Sequence, residues 1–343
     1  MKAFVYEGAK TVPLREVAEP SLKNGFVKIK VAYAGMCGGD MNVYNGTHPR
    51  AKAPLVMGHE ASGTIVEGHP NLAAGAPVAI NPLITCGECV PCKTGDEHVC
   101  QKLGLHGIDA DGMMADYTLV RACRVLPLPD GLSLKSGALA EPVAVVVHAI
   151  RDTGYLPGDN ALIFGAGPIG LALALALRAF GCTNLAIVEV NDHRREFGAK
   201  LGFDTINPKT QDVTEEVLKR TAGNGADHVF DCAGHQSVVD LLPRVVKIRG
   251  KIVVVAHYKK KPEFDFLLGM FKEFSIQFVR VYRDRDFEIA ISLLAKEKEF
   301  EKLVTHVLQP KQVQDGFDMM QDTSTTAVKI LYDFMGENKY AKH

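Results

Sequence analysis

The chain has 343 residues, which is enough for two domains that each bury a core of their own. Its 23% of charged and 47% of hydrophobic residues are typical of globular proteins and exclude a disordered or fibrous chain. The 39 basic and 40 acidic residues give a net charge of −1 and form no long run of one sign, so the charge pattern offers no surface for nucleic acid or acidic membranes.

The N-terminal residues 1–6 are predicted to form a first β-strand, because they lack the apolar segment and the cleavage site of a signal peptide. The longest apolar runs, at 143–147 and 171–177, are far shorter than the ~20 residues that a membrane span needs. We therefore expect a cytoplasmic protein without membrane contacts. In that compartment the eight cysteines are not expected to form disulfides, and the clustering of four of them within fifteen residues indicates a metal site.

The first part of the chain, up to about residue 145, is predicted to be rich in β-structure. Strands are expected at 27–31, 63–67 and 77–80, where short β-type runs lie between glycines and prolines. No internal repeat or low-complexity linker interrupts this part of the sequence.

Four cysteines lie close together in one predicted loop, at Cys86, Cys89, Cys92 and Cys100. The short spacing lets four thiolates reach one tetrahedral ion, and four sulfur ligands leave no coordination position open. A zinc bound there would be structural and would cross-link a loop with little core of its own. Reduced cysteines without metal and an iron–sulfur cluster are the alternatives, although nothing else in the sequence indicates electron transfer.

From about residue 150, short apolar strands alternate with helices, which is the pattern of a doubly wound parallel sheet. The predicted strands lie at 161–164, 185–188, 205–206, 228–231 and 251–255, and the predicted helices at 171–180, 192–201, 213–221 and 236–246. The residues from 296 onward, with strands at 303–308 and 328–332 around a helix at 312–320, are too few for a domain. We expect them to pack onto an earlier part of the chain.

Residues 165–170 follow the pattern G-x-G-x-x-G between a predicted strand and a predicted helix, and Glu189 ends the next strand. This context is the dinucleotide-binding fingerprint, in which the helix start holds the pyrophosphate. Glu189 would accept hydrogen bonds from the adenosine ribose and repel a 2′-phosphate, which predicts NAD rather than NADP. Arg194 and Arg195 could instead serve such a phosphate, and a plain glycine-rich turn is the ligand-free alternative. The expected cofactor-binding residues are Gly165, Gly167, Pro168, Ile169, Gly170, Glu189 and Arg194.

Three further motifs indicate nothing by spacing alone: Cys37 before two glycines, the pair His59 and Glu60 after a glycine, and Glu141 before a proline. Together with the two preceding motifs, they resemble the zinc-dependent medium-chain dehydrogenase/reductase family, most closely its polyol, butanediol and threonine dehydrogenase branch. The resemblance extends from the N-terminal strand to about residue 335. It implies that Cys37 and His59 bind a catalytic zinc. It also implies that Glu60 is a close neighbour and occasional ligand, and that Glu141 binds or approaches the same ion.

The resemblance also implies the fold class, an α/β protein with a GroES-like β-barrel and a Rossmann domain. The catalytic domain is expected at 1–147 with its zinc lobe near 82–103, and the NAD-binding domain at 148–295. Residues 296–343 would return to the catalytic domain. Arg280 is expected near the nicotinamide end of the cofactor, and the chain is expected to form a homodimer or homotetramer.

The resulting hypothesis is a zinc-dependent dehydrogenase that transfers hydride between NAD and a secondary alcohol or its ketone, the alcohol being a polyol, diol or hydroxy amino acid. A zinc-free quinone-type reductase of the same superfamily is one alternative. A non-catalytic NAD-binding scaffold or sensor that keeps zinc for stability is another. Two departures from the family leave the proton path open: Gly39 replaces the serine or threonine whose hydroxyl relays the proton, and Asn42 replaces a histidine.

Overall fold

The chain divides into two units in the computed structural model, which describes residues 1–322 and 324–336. The first unit combines Met1–Ala144 with Arg283–His343, and the second unit is Val145–Tyr282. The first unit is therefore interrupted by one continuous insertion, and the second unit ends earlier than the expected boundary at 295.

The first part of the chain is built mainly from short strands, as predicted. Its strands are Lys2–Tyr6 (β1), Leu14–Glu16 (β2), Phe26–Gly35 (β3), Leu55–Val56 (β4), Glu60–Glu67 (β5), Pro77–Ile80 (β6), Leu83–Ile84 (β7), Gly104–Leu105 (β8), Tyr117–Arg121 (β9) and Val125–Pro127 (β10). Its helices are Gly38–Tyr44 (α1), Val90–Thr94 (α2), Leu134–Gly137 (α3) and Ala140–Asp152 (α4). Short 3₁₀ turns lie at Glu97–Val99 and Ala122–Arg124.

The second unit alternates strands and helices. Its strands are Ala161–Phe164 (β11), Leu185–Val188 (β12), Asp204–Ile206 (β13), Ala226–Asp231 (β14), Val246–Val254 (β15) and Ser275–Phe278 (β16). Its helices are Pro168–Ala179 (α5), Asp192–Lys200 (α6), Val213–Arg220 (α7), Gln236–Val239 (α8), Leu242–Val245 (α9) and Phe266–Lys272 (α10). The strands pair in parallel in the order β13-β12-β11-β14-β15-β16, which confirms the predicted doubly wound sheet.

The helix predicted at 236–246 is instead two short helices, α8 and α9. Pro243 lies in the first turn of α9. Proline has no N–H, and its ring would clash with the carbonyl four residues earlier, so α8 ends at Val239 and the helix restarts beyond it. Strand β15 then begins at Val246, ahead of the expected 251.

The C-terminal segment returns to the first unit. Its elements are Asp284–Lys296 (α11), Val304–Leu308 (β17), Val313–Gln321 (α12) and Lys329–Asp333 (β18), with 3₁₀ turns at Lys298–Leu303 and Pro310–Gln312. The return begins at Arg283 rather than 296, because Asp284 at the start of α11 is tied to the first unit. The Asp284 carboxylate accepts a hydrogen bond from Asn81 Nδ2 at 3.0 Å and pairs with the buried Arg124 guanidinium.

A seven-stranded sheet forms the centre of the first unit, in the order β10-β6-β5-β3-β18-β17, with β9 paired to the first half of β3. All of its ladders are antiparallel except that of β17 with β18. Strand β3 is central because Val27, Ile29 and Val31 are buried at every second position. On the same core, the rings of Phe4 and Tyr332 meet edge to face with centroids 4.6 Å apart. No helix in the described part of the chain is long and apolar enough to cross a membrane.

Candidate active site and metal centres

The ends of three paired strands meet beside the first candidate metal site. Gly35 of β3 lies opposite Glu60 of β5 and opposite Leu331 of β18. Because both ladders are antiparallel, the end of β3 lies beside the starts of β5 and β18. Side chains just beyond these strand ends, at Cys37 and His59, are therefore brought together with the start of β18.

Helix α1 begins directly after Cys37 and fixes its thiol. The Cys37 Sγ accepts a hydrogen bond from the Gly39 N–H at 3.4 Å, and the Asp40 carboxylate accepts one from the Cys37 N–H at 2.9 Å. This reciprocal pair is a capping box. The sulfur is thereby held in one orientation at the start of α1.

His59 is buried against the same carboxylate, with its Nδ1 3.3 Å from Asp40 Oδ1. Burial alone lowers the pKa of His59, but the negative charges of Asp40 and Cys37 together raise that pKa well above its ordinary value. Asp40 is in ion-pair range without the alignment of a hydrogen bond. A carboxylate at Nδ1 leaves Nε2 as the metal-binding nitrogen.

Ligand atoms of Cys37, His59 and Glu60 lie within 4.8 Å of one another. A thiolate, an imidazole and a carboxylate are donors that zinc prefers, and three protein ligands leave a fourth position open. Gly39 borders this cluster, since a Cβ there would lie 3.8 Å from Cys37 Sγ and 4.0 Å from His59 Nε2. The set of three donors, together with the absence of a side chain at Gly39, fits a catalytic rather than a structural ion.

Glu60 is paired with a lysine that the sequence analysis did not single out. Its carboxylate contacts the ammonium of Lys329, and that ammonium also donates to the Met36 carbonyl at 2.8 Å. Both side chains are almost fully buried. Burial raises the pKa of Glu60, and Lys329 partly opposes that shift. Gly35 makes the arrangement possible, because a Cβ there would lie 2.2 Å from Glu60 Oε2.

Glu141 lies in the first turn of α4 and is buried. Its charge contributes to the raised pKa of Lys329, after the opposing effect of burial and the larger contributions of Glu60 and Cys37. Its carboxylate does not belong to the compact cluster of Cys37, His59 and Glu60. Glu141 therefore borders the candidate site, and its binding to the metal stays a prediction.

The four lobe cysteines form the second candidate metal site. The Sγ distances are 3.5 Å for Cys86 to Cys100, 3.8 Å for Cys89 to Cys100 and 3.9 Å for Cys86 to Cys92. A tetrahedral site with Zn–S bonds of about 2.3 Å has sulfurs about 3.8 Å apart. The observed separations fit one zinc ion with four thiolate ligands.

The pKa values of the thiols in this cluster are shifted in opposite directions. The N–H groups of Cys92 and Gln101 lower the pKa of Cys89 to about 6. Partial burial and the neighbouring thiols raise the pKa of Cys92 to about 12. The four thiols cannot all lose their protons in this volume without a compensating positive charge, which a divalent cation would supply.

The glycines of the predicted fingerprint have separate roles in the second unit. Gly165 has a positive φ of 101° and makes the turn after β11, and Gly167 is the N-cap of α5. A Cβ on Gly170 would lie 1.8 Å from the Gly165 carbonyl oxygen, so only glycine allows α5 to approach β11. The carboxylate of Glu189 accepts hydrogen bonds from the N–H groups of Ala166 at 2.7 Å and Asn191 at 2.8 Å.

A cavity of about 520 Å³ opens at this edge of the sheet, a size that suits part of a dinucleotide. Among the predicted cofactor residues, Gly165, Gly167, Glu189 and Arg194 line it. The lining does not include Pro168, Ile169 or Gly170, which begin α5. Arg280 is exposed after β16 and does not line this cavity, so its contact with a cofactor stays a prediction.

Comparisons with known proteins extend over both units. A model of the alcohol dehydrogenase GroES-like domain matches residues 23–130, and a model described as zinc-binding dehydrogenase matches residues 168–296. The chain is 36% identical over 299 residues to a 2-dehydro-3-deoxy-L-galactonate 5-dehydrogenase of Pseudoalteromonas atlantica, which covers 86% of this chain and 87% of that protein. It is 31% identical over 342 residues to an L-threonine 3-dehydrogenase of Pyrococcus abyssi, which covers 96% and 97% respectively.

The fold also resembles solved structures. The crystal structure of 2R,3R-butanediol dehydrogenase from Bacillus subtilis has a TM-score of 0.90 and 31% identity, over 97% of this chain and 99% of that chain. Together with the two matched models, this likeness confirms the predicted fold class of a GroES-like domain with a Rossmann domain.

Proposed function

The chain belongs to the zinc-dependent medium-chain dehydrogenase/reductase family, and from this premise we propose that it oxidises a secondary alcohol with NAD. Like the members of that family, it is a dehydrogenase with zinc and a nicotinamide dinucleotide as cofactors. The observation that carries the proposal is the open cluster of Cys37, His59 and Glu60, whose ligand atoms lie within 4.8 Å of one another. Zinc held there would supply Lewis acidity toward the alcohol oxygen. The nicotinamide would accept the hydride.

Residues around the cluster keep its ligands in place. The Asp40 carboxylate lies beside Nδ1 of the His59 imidazole, and the N–H of Gly39 donates to the Cys37 sulfur. Lys329 contacts the Glu60 carboxylate and opposes the rise that burial causes in the pKa of Glu60. Gly39 leaves space beside the cluster, since even a Cβ there would lie 3.6 Å or more from His59 and Cys37.

The substrate class follows from the relatives. Their names specify a sugar-acid derivative, a hydroxy amino acid and a vicinal diol. Each of these compounds contains a secondary alcohol or the corresponding ketone. We therefore propose a polyol, diol or hydroxy acid as the substrate. A panel of such alcohols, with NADH absorbance as the readout, tests this. If the chain carries about two zinc ions and oxidises none of the alcohols in the panel, that result contradicts the proposed reaction and favours a non-catalytic scaffold.

Proton release in this site is proposed to use an ordered water in place of a side-chain hydroxyl. Gly39 has no side chain, and a water can accept and donate a proton as a serine hydroxyl does. A serine fits at this position, because its Cβ would be 3.6 Å or more from the surrounding side chains. We expect Gly39→Ser to change kcat by less than about tenfold and to shift its pH profile.

The measurement is kcat against pH for wild type and Gly39→Ser, with Gly38→Ser as the control, since a Cβ at Gly38 would meet nothing within 4 Å. A rise of several orders of magnitude in Gly39→Ser alone, on every alcohol tried, contradicts the water route. It would mean that the natural chain is a poor dehydrogenase.

We also infer that two copies of the chain associate through the face formed by α10 and β16. Large apolar side chains are exposed there at Phe266, Leu267, Met270, Phe271 and Phe278. Strand β16 pairs with β15 on one side and ends the sheet on the other. An open edge strand and an apolar face are self-complementary when a second copy pairs antiparallel across a two-fold axis.

Phe271→Asp is expected to convert the dimer to monomers, since the side chain is 71% exposed in the single chain and a charge cannot be buried there without a partner. Each copy loses one aromatic contact and gains a repulsive charge, so the dimer Kd should rise by at least about 100-fold. Leu156→Asp, at a 65% exposed apolar residue outside this face, is the matched control. Sedimentation that finds wild type monomeric, or both variants dimeric, argues against this interface.

A further inference from the structure

A buried arginine, Arg124, ties the zinc lobe to the start of α11. Its guanidinium contacts the Glu97 carboxylate at 3.4 Å and the Thr85 hydroxyl at 2.9 Å, and both of these residues belong to the lobe. The same guanidinium contacts the carboxylate of Asp284, the first residue of α11. Only 5% of Arg124 is exposed, so its charge depends on these acceptors.

A second arginine makes a parallel connection one residue before α11. The Arg283 guanidinium contacts the Asp96 carboxylate at 3.0 Å, and Asp96 precedes the 3₁₀ turn of the lobe. Asp284 is also held by Asn81, whose Nδ2 donates to its carboxylate at 3.0 Å. The Arg283 N–H in turn donates to the Asp286 carboxylate at 3.0 Å and completes the first turn of α11. Arg124 and Arg283, with their partners in the lobe, form what we call the lobe clamp, which fixes the position at which α11 begins.

The lobe clamp is attached directly to the cysteine cluster. Thr85 immediately precedes Cys86, and the Glu97 carbonyl accepts the Cys100 N–H at 3.0 Å. Helix α2 of the lobe has no buried residue, so the lobe depends on the four cysteines and their ion for its order. Loss of the ion therefore disturbs the residues that hold the two arginines.

The backbone is strained just before the lobe clamp. Val281 has a φ of 45°, in the left-handed region that a β-branched residue rarely adopts. The preceding part of this segment is fixed, because the Val279 N–H donates to the Val254 carbonyl at 3.2 Å. Tyr282, between Val281 and the clamp, is fully buried. Strain of this kind persists only where the surrounding structure imposes it, and this segment is fixed at both ends.

We propose that zinc bound by the four lobe cysteines keeps Val281 in its strained conformation, with Arg124 and Arg283 as the link. Loss of that zinc releases the start of α11, and the backbone of Val281 then relaxes to an extended conformation. This role is independent of the substrate and the cofactor, and it requires only that the lobe binds zinc. Because the coupling between two sites is reciprocal, relief of the strain at Val281 strengthens zinc binding by the lobe.

The zinc affinity of the lobe in the full chain tests this coupling. It is measured by competition with a chromophoric chelator in the Cys37→Ser background, where the lobe holds the remaining zinc. Val281→Gly is expected to tighten zinc binding by about three- to tenfold, because glycine adopts this φ without strain. Lys10→Gly is the matched control and should leave the affinity unchanged. Lys10 has a φ of 59° in the turn between β1 and β2, outside the lobe and its clamp.

The arginine link is tested by Arg124→Met in the same background. This substitution is expected to weaken zinc binding by at least about tenfold. Combined with Val281→Gly, it should reduce the gain in affinity to less than about twofold, because the two sites are then no longer linked. If Arg124→Met does not fold, Arg283→Met breaks the other connection of the clamp and takes its place.

Hydrogen exchange measures the start of α11 directly. The N–H groups of Asp286 and Phe287 donate to the Arg283 carbonyl, and their exchange should be at least about tenfold faster once a chelator has removed the lobe zinc. Arg285→Met is the control, at an exposed arginine that pairs with Glu288 of the same helix. It should change neither the exchange of these groups nor the zinc affinity.

Four outcomes overturn the proposal. They are equal zinc affinities in Val281→Gly and Lys10→Gly, an unchanged affinity in Arg124→Met, exchange at α11 that does not respond to the chelator, and a Cys37→Ser chain that holds no zinc. None of these measurements uses turnover, so their failure is distinct from a failure of the proposed reaction.

Discussion

Cys37→Ser is expected to lower kcat by at least about 1,000-fold while the chain stays folded and still binds 5′-AMP. The substitution removes the sulfur ligand of the candidate catalytic zinc, and Lewis-acid stabilisation of several kcal/mol corresponds to a factor of this size. The fold is expected to persist, because serine is a good N-cap and its hydroxyl can accept the Gly39 N–H in place of Sγ. The residues proposed to bind the nucleotide belong to the other unit.

The matched control is Cys123→Ser, at an exposed cysteine in the same unit. Three measurements on each variant separate the possible causes of a loss: zinc per chain, kcat and 5′-AMP affinity. We expect Cys37→Ser to lose about one zinc and nearly all turnover, and Cys123→Ser to lose neither. Full activity in Cys37→Ser would show that another residue binds the catalytic ion.

The second unit could be predicted in detail because its signals are local. The strand, the glycine-rich turn, the helix and Glu189 follow one another within residues 161–189, and each has a backbone requirement that the residue type satisfies. Gly170 is an example, since the close approach to Gly165 admits no side chain. The misplaced helix 236–246 had a local cause as well, which was Pro243.

The candidate metal cluster could not be predicted from spacing, because its members meet only through strand register. Cys37 and His59 were named from a family resemblance, and no periodicity connects them. Lys329 is far from both in sequence and reaches Glu60 only because β18 pairs with β3. Its one sequence signal was a lysine in an otherwise apolar strand, where burial requires a partner charge.

Cys92→Ala is expected to lower the Tm of the chain by about 8–16 °C and to remove one zinc while the catalytic zinc stays bound. A ligand present at about 1,000 times its Kd contributes about 4 kcal/mol, and each kcal/mol moves the Tm of a unit of this size by about 2–4 °C. The lobe depends on this ion because it contains only α2, the short β7–β8 pair and a 3₁₀ turn, and α2 has no buried residue.

Chelation provides the decisive comparison for the lobe. In the Cys37→Ser background, which lacks the catalytic zinc, a chelator should lower the Tm by the same amount as Cys92→Ala does. Cys92→Ala added to that background should make the Tm insensitive to the chelator, because metal binding and folding share one free energy in such a site. Cys123→Ala, at the exposed cysteine, is the control and should keep both the Tm and the chelator response. The structural assignment is wrong if Cys92→Ala keeps its Tm and its full zinc content but loses turnover, since the lobe would then act on catalysis rather than on folding.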